Sequence, residues 1–315
     1  MNSIIVGVII MLVALFIKIP VFVSVLMGSL VYFFSADATV PSLIFAQRVV
    51  SGVESITLLA IPFFIASGVF MNNSGVTRRV MTFASVMTGR MAGGLAQVNV
   101  LLSTLMGGLS GSALADAAME AKMLVPEMRK QGYSNEFSSV VTAMSAMITP
   151  LIPPGIGMII YGSVANVSIG KLFIAGIGPG LLLCCSMMIL VYFMSKKRGY
   201  VPIRTEKLSK QEVWIATRDA FFPLCLPIII IGGIRLGVFT PTEAGAVAII
   251  YAMILGFAYR ELTLKGIIQC IKETVITTAG IMLIVGAASA FAWILTRERI
   301  PQSLTAVIVS RVHNK

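Results

Sequence analysis

The feature that most constrains this chain is a succession of long apolar runs separated by short polar segments. About seven or more of these runs are close in length to the roughly 20 apolar residues that a helix needs to cross a bilayer. Hydrophobic residues make up 57% of the 315 residues and charged residues only 12%, against about 25% charged in a soluble domain. The pattern predicts an all-α polytopic membrane protein and excludes a soluble globular fold.

The net charge of +11 comes from basic residues that lie in the short segments between the apolar runs. Because they do not line one basic face, we expect no nucleic-acid partner. If the uncharged N-terminus (MNSII) lies outside, most of the cations fall on the cytoplasmic side, as the positive-inside rule requires. These cations are Lys18, Arg78, Arg79, Arg90, Arg129, Lys130, Arg260, Lys265, Lys272 and the basic residues from Lys196 to Lys210. The protein is therefore predicted to be multi-pass, with an external N-terminus. Its spanning helices are expected to contact membrane lipid.

Residues 98–126 are apolar or small and are interrupted by the sequence GGLSGSALADAA. Cations precede this stretch at Arg90 and follow it at Arg129, so a single crossing would leave cations on both sides of the membrane. Each arm has about 13 residues and a length of about 20 Å, which is short for a hydrocarbon core of about 30 Å. We therefore predict a re-entrant helical hairpin that enters from the cytoplasm, with its tip at Ser110, Gly111 and Ser112.

The next apolar stretch, Glu136 to Val164, is broken by TPLIPPG at residues 149–155. Non-helical backbone at membrane depth is tolerated only where protein buries it or where it lines a cavity. Carbonyls freed by proline and the C-terminal ends of half-helices bind cations, whereas half-helix N-termini favour anions. The tip and the break are therefore predicted to form one site. The predicted Na⁺ ligands are Ser110, Ser112, Thr149, Pro150 and Gly155, and the predicted substrate contacts are Ser110, Gly111, Ser112, Pro153, Pro154 and Gly155.

Each of these motifs also has a purely structural interpretation. Gly107, Gly108 and Gly111 form a small-residue packing face, and prolines kink helices without binding anything. Asp116, four residues beyond the tip, is interpreted as a support for the ion site or a brace of the hairpin, the alternative being a bond to a neighbouring hydroxyl or amide. Arg235 and Glu243 flank the turn GVFTPTEAG and are interpreted as an interfacial ion pair that supports the structure.

Enzymatic chemistry has few candidate residues in this sequence. The only histidine is His313, and the four cysteines lack metal-ligand spacing, so we expect no enzyme and no bound cofactor. One alternative is an intramembrane serine protease, because Gly108 to Gly111 matches the pattern G-x-S-G. That chemistry pairs the serine with a histidine within the membrane.

Five segments resemble, in order, the large membrane subunit of tripartite ATP-independent periplasmic (TRAP) transporters, the DctM type. They are SGSALADAA (110–118), LVPEMRKQGY (124–133), TPLIPPG (149–155), LFIAGIGPG (172–180) and LPIIIIGGIRLGVFTPTEAGAVA (226–248). The resemblance implies an elevator-type transporter with inverted repeats, a re-entrant hairpin and a broken helix, driven by a Na⁺ gradient in the bacterial inner membrane, with a periplasmic N-terminus. It also implies a small four-helix membrane subunit and a periplasmic substrate-binding protein that delivers an organic acid, such as a C4-dicarboxylate or a sialic acid.

The same resemblance divides the chain into four parts. Residues 1–92 are scaffold helices and an interfacial arm, and residues 93–165 are the first hairpin and broken helix of a transport domain. Residues 166–272 are scaffold helices of the second repeat with a cytoplasmic linker, and residues 273–315 begin a second transport half. An interfacial helix, Leu262 to Lys272, is predicted to precede this last part, which then crosses the membrane from Thr274 to Leu295. Counterparts of SGSALADAA and TPLIPPG do not follow, so the second repeat is expected to be truncated, the chain being a fragment or a non-transporting relic.

Overall fold

The described part of the computed structural model, residues 2–35, 43–206 and 208–311, is helical and contains no strand. Five helical segments in it are long and apolar enough to cross a membrane, or six if the bent pair described below is one span. This confirms the all-α polytopic class, with fewer spans among the described residues than the seven or so apolar runs near spanning length in the sequence. The remaining apolar runs form helices that are too short to count. The helices are α1 (Asn2–Phe16), α2 (Val21–Ser35), α3 (Leu43–Ser51), α4 (Ala60–Asn73), α5 (Val76–Thr88), α6 (Gly94–Ser110), α7 (Ala113–Lys130), α8 (Asn135–Ser145), α9 (Ile156–Val164), α10 (Ile169–Arg198), α11 (Lys210–Arg235), α12 (Pro241–Ala258), α13 (Leu264–Arg297) and α14 (Ile300–Arg311).

The chain folds as two compact units, of which the first comprises residues 1–56 and 276–315. In this unit α1 and α2 approach each other closely at two glycines, since a Cβ on Gly7 would lie 2.5 Å from the carbonyl oxygen of Gly28. Phe33 stacks on Trp293 with ring centroids 5.5 Å apart, and the Tyr32 hydroxyl donates to the Glu298 carboxylate. Tyr32 and Phe33 form a buried apolar cluster with Ile4 and Ile294.

The second unit, residues 57–275, contains the predicted hairpin. Helices α6 and α7 meet at the predicted tip, where Gly111 adopts the left-handed conformation with φ of 62°. Ser112 then caps α7, because its side chain accepts a hydrogen bond from the Ala115 N–H at 3.4 Å. The arms are longer than predicted, at 17 and 18 residues rather than about 13, because Pro126 lies inside α7 instead of ending it. The helix–turn–helix is confirmed, and its depth in the membrane stays a prediction.

The predicted break is also present in this unit. Helix α8 ends at Ser145, a short 3₁₀ turn covers Thr149–Leu151, and α9 begins at Ile156. The two halves are bent by 45° with respect to each other. The Pro153–Pro154 peptide bond is cis. The bend follows from the prolines, which lack the N–H needed to continue an α-helical ladder through residues 150–154.

A short segment after α10, residues 199–204, joins the N-terminal ends of α6 and α8. Tyr200 supplies its carbonyl oxygen to the Gly93 N–H at 3.3 Å and its hydroxyl oxygen to the Ser134 N–H at 3.1 Å. Its ring stacks on Tyr133 with centroids 4.2 Å apart. The entries to α6 and α8 are therefore both held by the segment that follows α10.

Two predictions about the later helices are wrong. The interfacial helix Leu262–Lys272 and the crossing Thr274–Leu295 form one continuous helix, α13, because no glycine or proline separates them. No ion pair within 4.0 Å joins Arg235 to Glu243. The Glu243 carboxylate instead accepts hydrogen bonds from the N–H and hydroxyl of Thr240, at 2.7 and 2.8 Å, in a capping box at the start of α12.

Candidate functional site between the hairpin tip and the helix break

The structure brings the hairpin tip into direct contact with the helix break. The Ile156 N–H, at the start of α9, donates to the Gly111 carbonyl oxygen at 3.4 Å. A Cβ on Gly111 would collide with the carbonyl oxygen of Pro154, and one on Gly107 would lie 2.9 Å from the carbonyl oxygen of Thr149. The backbones therefore approach as closely as they do only because the hairpin has glycine at these positions.

A buried carboxylate joins the two elements from the side. Asp116 is 0% exposed, and its carboxylate accepts the Ser110 hydroxyl at 2.7 Å. The Thr149 hydroxyl oxygen lies 3.0 Å from Oδ2 of Asp116 and 3.2 Å from the carbonyl oxygen of Ser103. Since one hydroxyl hydrogen serves two acceptors, Thr149 links the break to both hairpin arms. Asp116 thus braces the hairpin against the break.

The predicted site residues differ in their burial. Ser110 and Thr149 are 5% and 0% exposed, and the break residues Pro153, Pro154 and Gly155 are also buried. Ser112 and Pro150 are partly exposed. Gly111 is buried at the tip. Arg235 and Glu243, by contrast, are exposed at the turn between α11 and α12 and are not part of this constellation.

A second buried carboxylate, which was not predicted from the sequence, lies next to the first. Glu120 is 0% exposed, and both of its oxygens lie 2.8 Å from the Ser103 hydroxyl. It follows Asp116 by four residues, so both carboxylates lie on one face of α7. Neither forms an ion pair within 4.0 Å with a described lysine or arginine. The i, i+4 spacing was the signal that could have revealed Glu120.

A second polar cluster lies nearer the base of the hairpin and was also missed. The Asn99 side-chain amide donates to the Thr142 hydroxyl at 2.7 Å and accepts the Ser145 hydroxyl at 2.8 Å. All three side chains are at most 3% exposed. Together with Ser103 and Thr149, they form a polar seam between α6 and α8. This seam fixes the relative position of the hairpin and the broken helix.

The chemistry available at the tip and break is that of hard oxygen donors. Hydroxyl, carbonyl and carboxylate oxygens suit Na⁺ and other hard cations, and they do not suit soft transition metals. In the part of the chain that the structure describes, no group of three His, Cys, Asp or Glu side chains could hold a metal ion. The hydroxyl and carbonyl oxygens at the tip and the break are of the class that Na⁺ takes as ligands. His313, which the protease alternative requires, lies outside the described residues, and the Ser110 hydroxyl is bonded to a carboxylate.

A family model and several curated relatives match this chain, and they agree with one another. The family model for the tripartite ATP-independent periplasmic transporter, DctM component, matches residues 8–315. The sialic acid TRAP transporter large permease protein SiaM of Vibrio cholerae is 46% identical over 260 residues, which cover 82% of this chain and 60% of that protein. The sialic acid TRAP transporter permease protein SiaT of Haemophilus influenzae is 37% identical, over 98% of this chain and 50% of its own length.

A third relative is the 2,3-diketo-L-gulonate TRAP transporter large permease protein YiaN of Escherichia coli. It is 40% identical over 84% of this chain and 62% of its own length. The chain thus spans between half and two thirds of the length of these curated relatives. The relatives are transporter permeases, and the match covers both the hairpin and the broken helix. The chain belongs to the DctM family, the large membrane component of tripartite ATP-independent periplasmic transporters.

Proposed function

We propose that this chain forms part of the large permease subunit of a Na⁺-coupled transporter that takes up an organic acid across the bacterial inner membrane. The family assignment supports the transport function. Relatives of this chain are named for the transport of sialic acid, 2,3-diketo-L-gulonate and C4-dicarboxylate, which supports an organic acid as substrate. The partners are a small four-helix membrane subunit and a periplasmic substrate-binding protein, with the N-terminus of the permease on the periplasmic side.

The observation that carries this proposal is the contact between the tip and the break through Asp116. Helix α6 ends at Ser110 and α8 ends at Ser145, so two helix C-termini, with their partial negative charge, point toward this region. Helices α7 and α9 begin at Ala113 and Ile156, and their N-termini carry partial positive charge. One small region therefore offers poles of both signs, as a site for a cation and an anionic substrate requires.

The roles follow from the donor types. The hydroxyls of Ser110, Ser112 and Thr149 and the carbonyl of Pro150 bind Na⁺, and the negative charge of the nearby Asp116 carboxylate favours the cation. The Gly155 carbonyl, the fifth ligand expected from the sequence, is left out because it already accepts the N–H groups of Met158 and Ile159, at 3.1 and 3.3 Å. The substrate carboxylate binds at the N-termini of α7 and α9, next to Gly111 and residues 153–155. Since the cation and the anion neutralise each other, each increases the affinity for the other, and reciprocity makes uptake depend on the Na⁺ gradient.

Uptake into proteoliposomes tests this proposal. The permease is reconstituted with its small subunit and its binding protein, and accumulation of a labelled organic acid is measured with an inward Na⁺ gradient or an equal K⁺ gradient. We expect accumulation with Na⁺ alone. Accumulation that is the same in both gradients would refute the coupling.

A matched pair of variants tests the site. Ser110→Ala removes a proposed Na⁺ ligand and should raise the Na⁺ concentration for half-maximal uptake by about tenfold, the effect of losing one hydrogen-bond-strength contact to an ion. Ser186→Ala removes an exposed hydroxyl on α10 that bonds only the Leu183 carbonyl and should leave uptake unchanged. Equal Na⁺ dependence in the two variants would exclude Ser110 from the ion site.

A further inference from the structure

A cavity of about 280 Å³ lies between α5, the segment after α10 and the first turns of α11, away from the tip and break. Four of its lining side chains are charged, namely Arg79, Arg204, Glu212 and Asp219. Apolar side chains complete the wall, among them Val86 and Ile215. The cavity therefore combines two guanidinium groups, two carboxylates and an apolar surface.

Of the two guanidinium groups, that of Arg79 is fixed by contacts of its own, and neither forms a close ion pair in the described part of the chain. Arg79 lies over the Tyr259 ring, 3.7 Å from its centroid, and its Nη1 donates to the Gly75 carbonyl oxygen at 2.9 Å. The backbone N–H of Arg204 donates to the Gly89 carbonyl oxygen at 3.3 Å, which fixes where its side chain starts. Neither arginine pairs within 4.0 Å with a described carboxylate. Most of the five N–H donors of each guanidinium therefore remain available to an anion.

The two carboxylates keep acceptor capacity as well. The Glu212 carboxylate accepts the N–H and hydroxyl of Ser209 through Oε2, at 2.9 and 3.1 Å, in the capping box of α11. The Asp219 carboxylate is 3.3 Å from the guanidinium of the neighbouring Arg218 in a solvent-exposed pair. A carboxylate has about four lone-pair sites, so both can accept further donors. Two positive and two negative groups match a zwitterion better than a simple anion.

The composition of α11 indicates the depth of this cavity relative to the membrane surface. Helix α11 has 26 residues and a length of about 39 Å, which exceeds the hydrocarbon thickness of about 30 Å. Its charged residues at this end extend to Asp219, and the apolar stretch begins at Ala220. Trp214, which is 67% exposed, has the interfacial position that tryptophan favours. The first turns of α11 thus lie in the headgroup layer of the basic membrane surface.

We propose that this cavity binds the headgroup of a zwitterionic phospholipid with a primary ammonium group, as in phosphatidylethanolamine. The phosphate accepts hydrogen bonds from the guanidinium groups of Arg79 and Arg204. The ammonium donates to the carboxylates of Glu212 and Asp219, and the start of an acyl chain packs against Val86 and Ile215. The bound lipid joins α5 to α11 at the membrane surface, and this role does not depend on the transport function.

Lipid retention tests the proposal. The full chain is placed in nanodiscs of mixed phosphatidylethanolamine, phosphatidylglycerol and phosphatidylcholine, extracted with mild detergent, and analysed for bound lipid by native mass spectrometry. We expect phosphatidylethanolamine to be retained about tenfold over the other two, because phosphatidylglycerol lacks an ammonium group and phosphatidylcholine has no N–H donor. Equal retention of the three lipids would overturn the proposal. Free phosphoethanolamine should not displace the lipid at millimolar concentration, and displacement would overturn the assignment to a lipid.

Variants separate the two halves of the cavity. The double substitution Arg79→Gln with Arg204→Gln should lower retention of phosphatidylethanolamine at least tenfold, whereas Lys196→Gln, an exposed charge loss at the end of α10, should not. Unchanged retention in the double variant would contradict the phosphate contacts. If the double variant does not fold, Asp219→Asn serves instead, and it should shift the preference toward phosphatidylglycerol. An unaltered lipid preference in Asp219→Asn would contradict the ammonium contact.

Discussion

Substitution of Gly111 by alanine is the most direct test of the contact between the tip and the break. Gly111 has φ of 62°, a conformation that costs an L-residue about 1–2 kcal/mol. The added Cβ would also collide with the carbonyl oxygen of Pro154, and backbone atoms cannot give way as a flexible side chain can. The tip must therefore move away from the break.

The expected destabilisation adds two contributions. The backbone conformation contributes about 1–2 kcal/mol. Separation of the elements removes the hydrogen bond from the Ile156 N–H to the Gly111 carbonyl and leaves a buried donor without a partner, which costs about 1–3 kcal/mol. We expect Gly111→Ala to be destabilised by about 3 kcal/mol, which lowers the melting temperature by roughly 5 °C or more.

The assay is thermal unfolding of the purified protein in detergent, in Na⁺ and in K⁺ buffers of equal ionic strength. Gly157→Ala is the matched control, because Gly157 lies two residues after Gly155 on α9 and a Cβ there meets no atom within 4 Å. Alanine is a better helix former than glycine by about 0.5–1 kcal/mol, so the control should melt at the same temperature or slightly higher.

Two results would refute the reasoning. If Gly111→Ala melts within about 1 °C of Gly157→Ala, the contact does not contribute stability of the size derived above. If Na⁺ stabilises the wild type and Gly111→Ala equally, the ion does not bind where the two elements meet, because ligand stabilisation follows the affinity of the native site.

Three further predictions concern single contacts. Thr149→Val should lower the free energy of unfolding by about 2 kcal/mol, because a buried carboxylate and a buried carbonyl each lose a hydrogen-bond donor. Thr149→Ser keeps the hydroxyl and should lower it by less than about 1 kcal/mol. Thermal unfolding distinguishes the two variants. Tyr200→Phe leaves the Ser134 N–H without its phenolic acceptor and should speed hydrogen exchange of that amide by about tenfold, measured by mass spectrometry; unchanged exchange would contradict the bond. Gly7→Ala pushes its Cβ against the Gly28 carbonyl and should destabilise the first helical pair by about 1–3 kcal/mol, seen as faster proteolysis; equal cleavage rates would argue against close packing.

The interruptions of the helices were predictable because their signals are local. Glycine at the tip and three prolines within residues 150–154 at the break act on the backbone within a few residues, so sequence alone locates them. Their proximity was predicted because non-helical backbone at membrane depth must be buried by protein or line a cavity. The lengths of the hairpin arms were underestimated, because a proline such as Pro126 is tolerated where α7 packs against its neighbours.

The side-chain partners were harder to predict because they depend on packing between helices. The capping box of Thr240 and Glu243 has a sequence signature, yet a longer-range pairing with Arg235 was preferred, and the local bonds form instead. The bond from Ser103 to Glu120 joins two antiparallel arms, and its register depends on the length of the turn between them. Such pairs become evident only when the helix faces are known.

The bonds made by residues 199–204 have a mechanical consequence. Tyr200 is bonded to Gly93 and Ser134, the residues that precede α6 and α8. Because one residue holds the N-terminal ends of both helices, a shift of α10 along its axis should displace both ends together. We therefore expect a displacement of α10 to reach both the hairpin and the broken helix. The hairpin and the broken helix should therefore move as one body as long as both hydrogen bonds of Tyr200 persist.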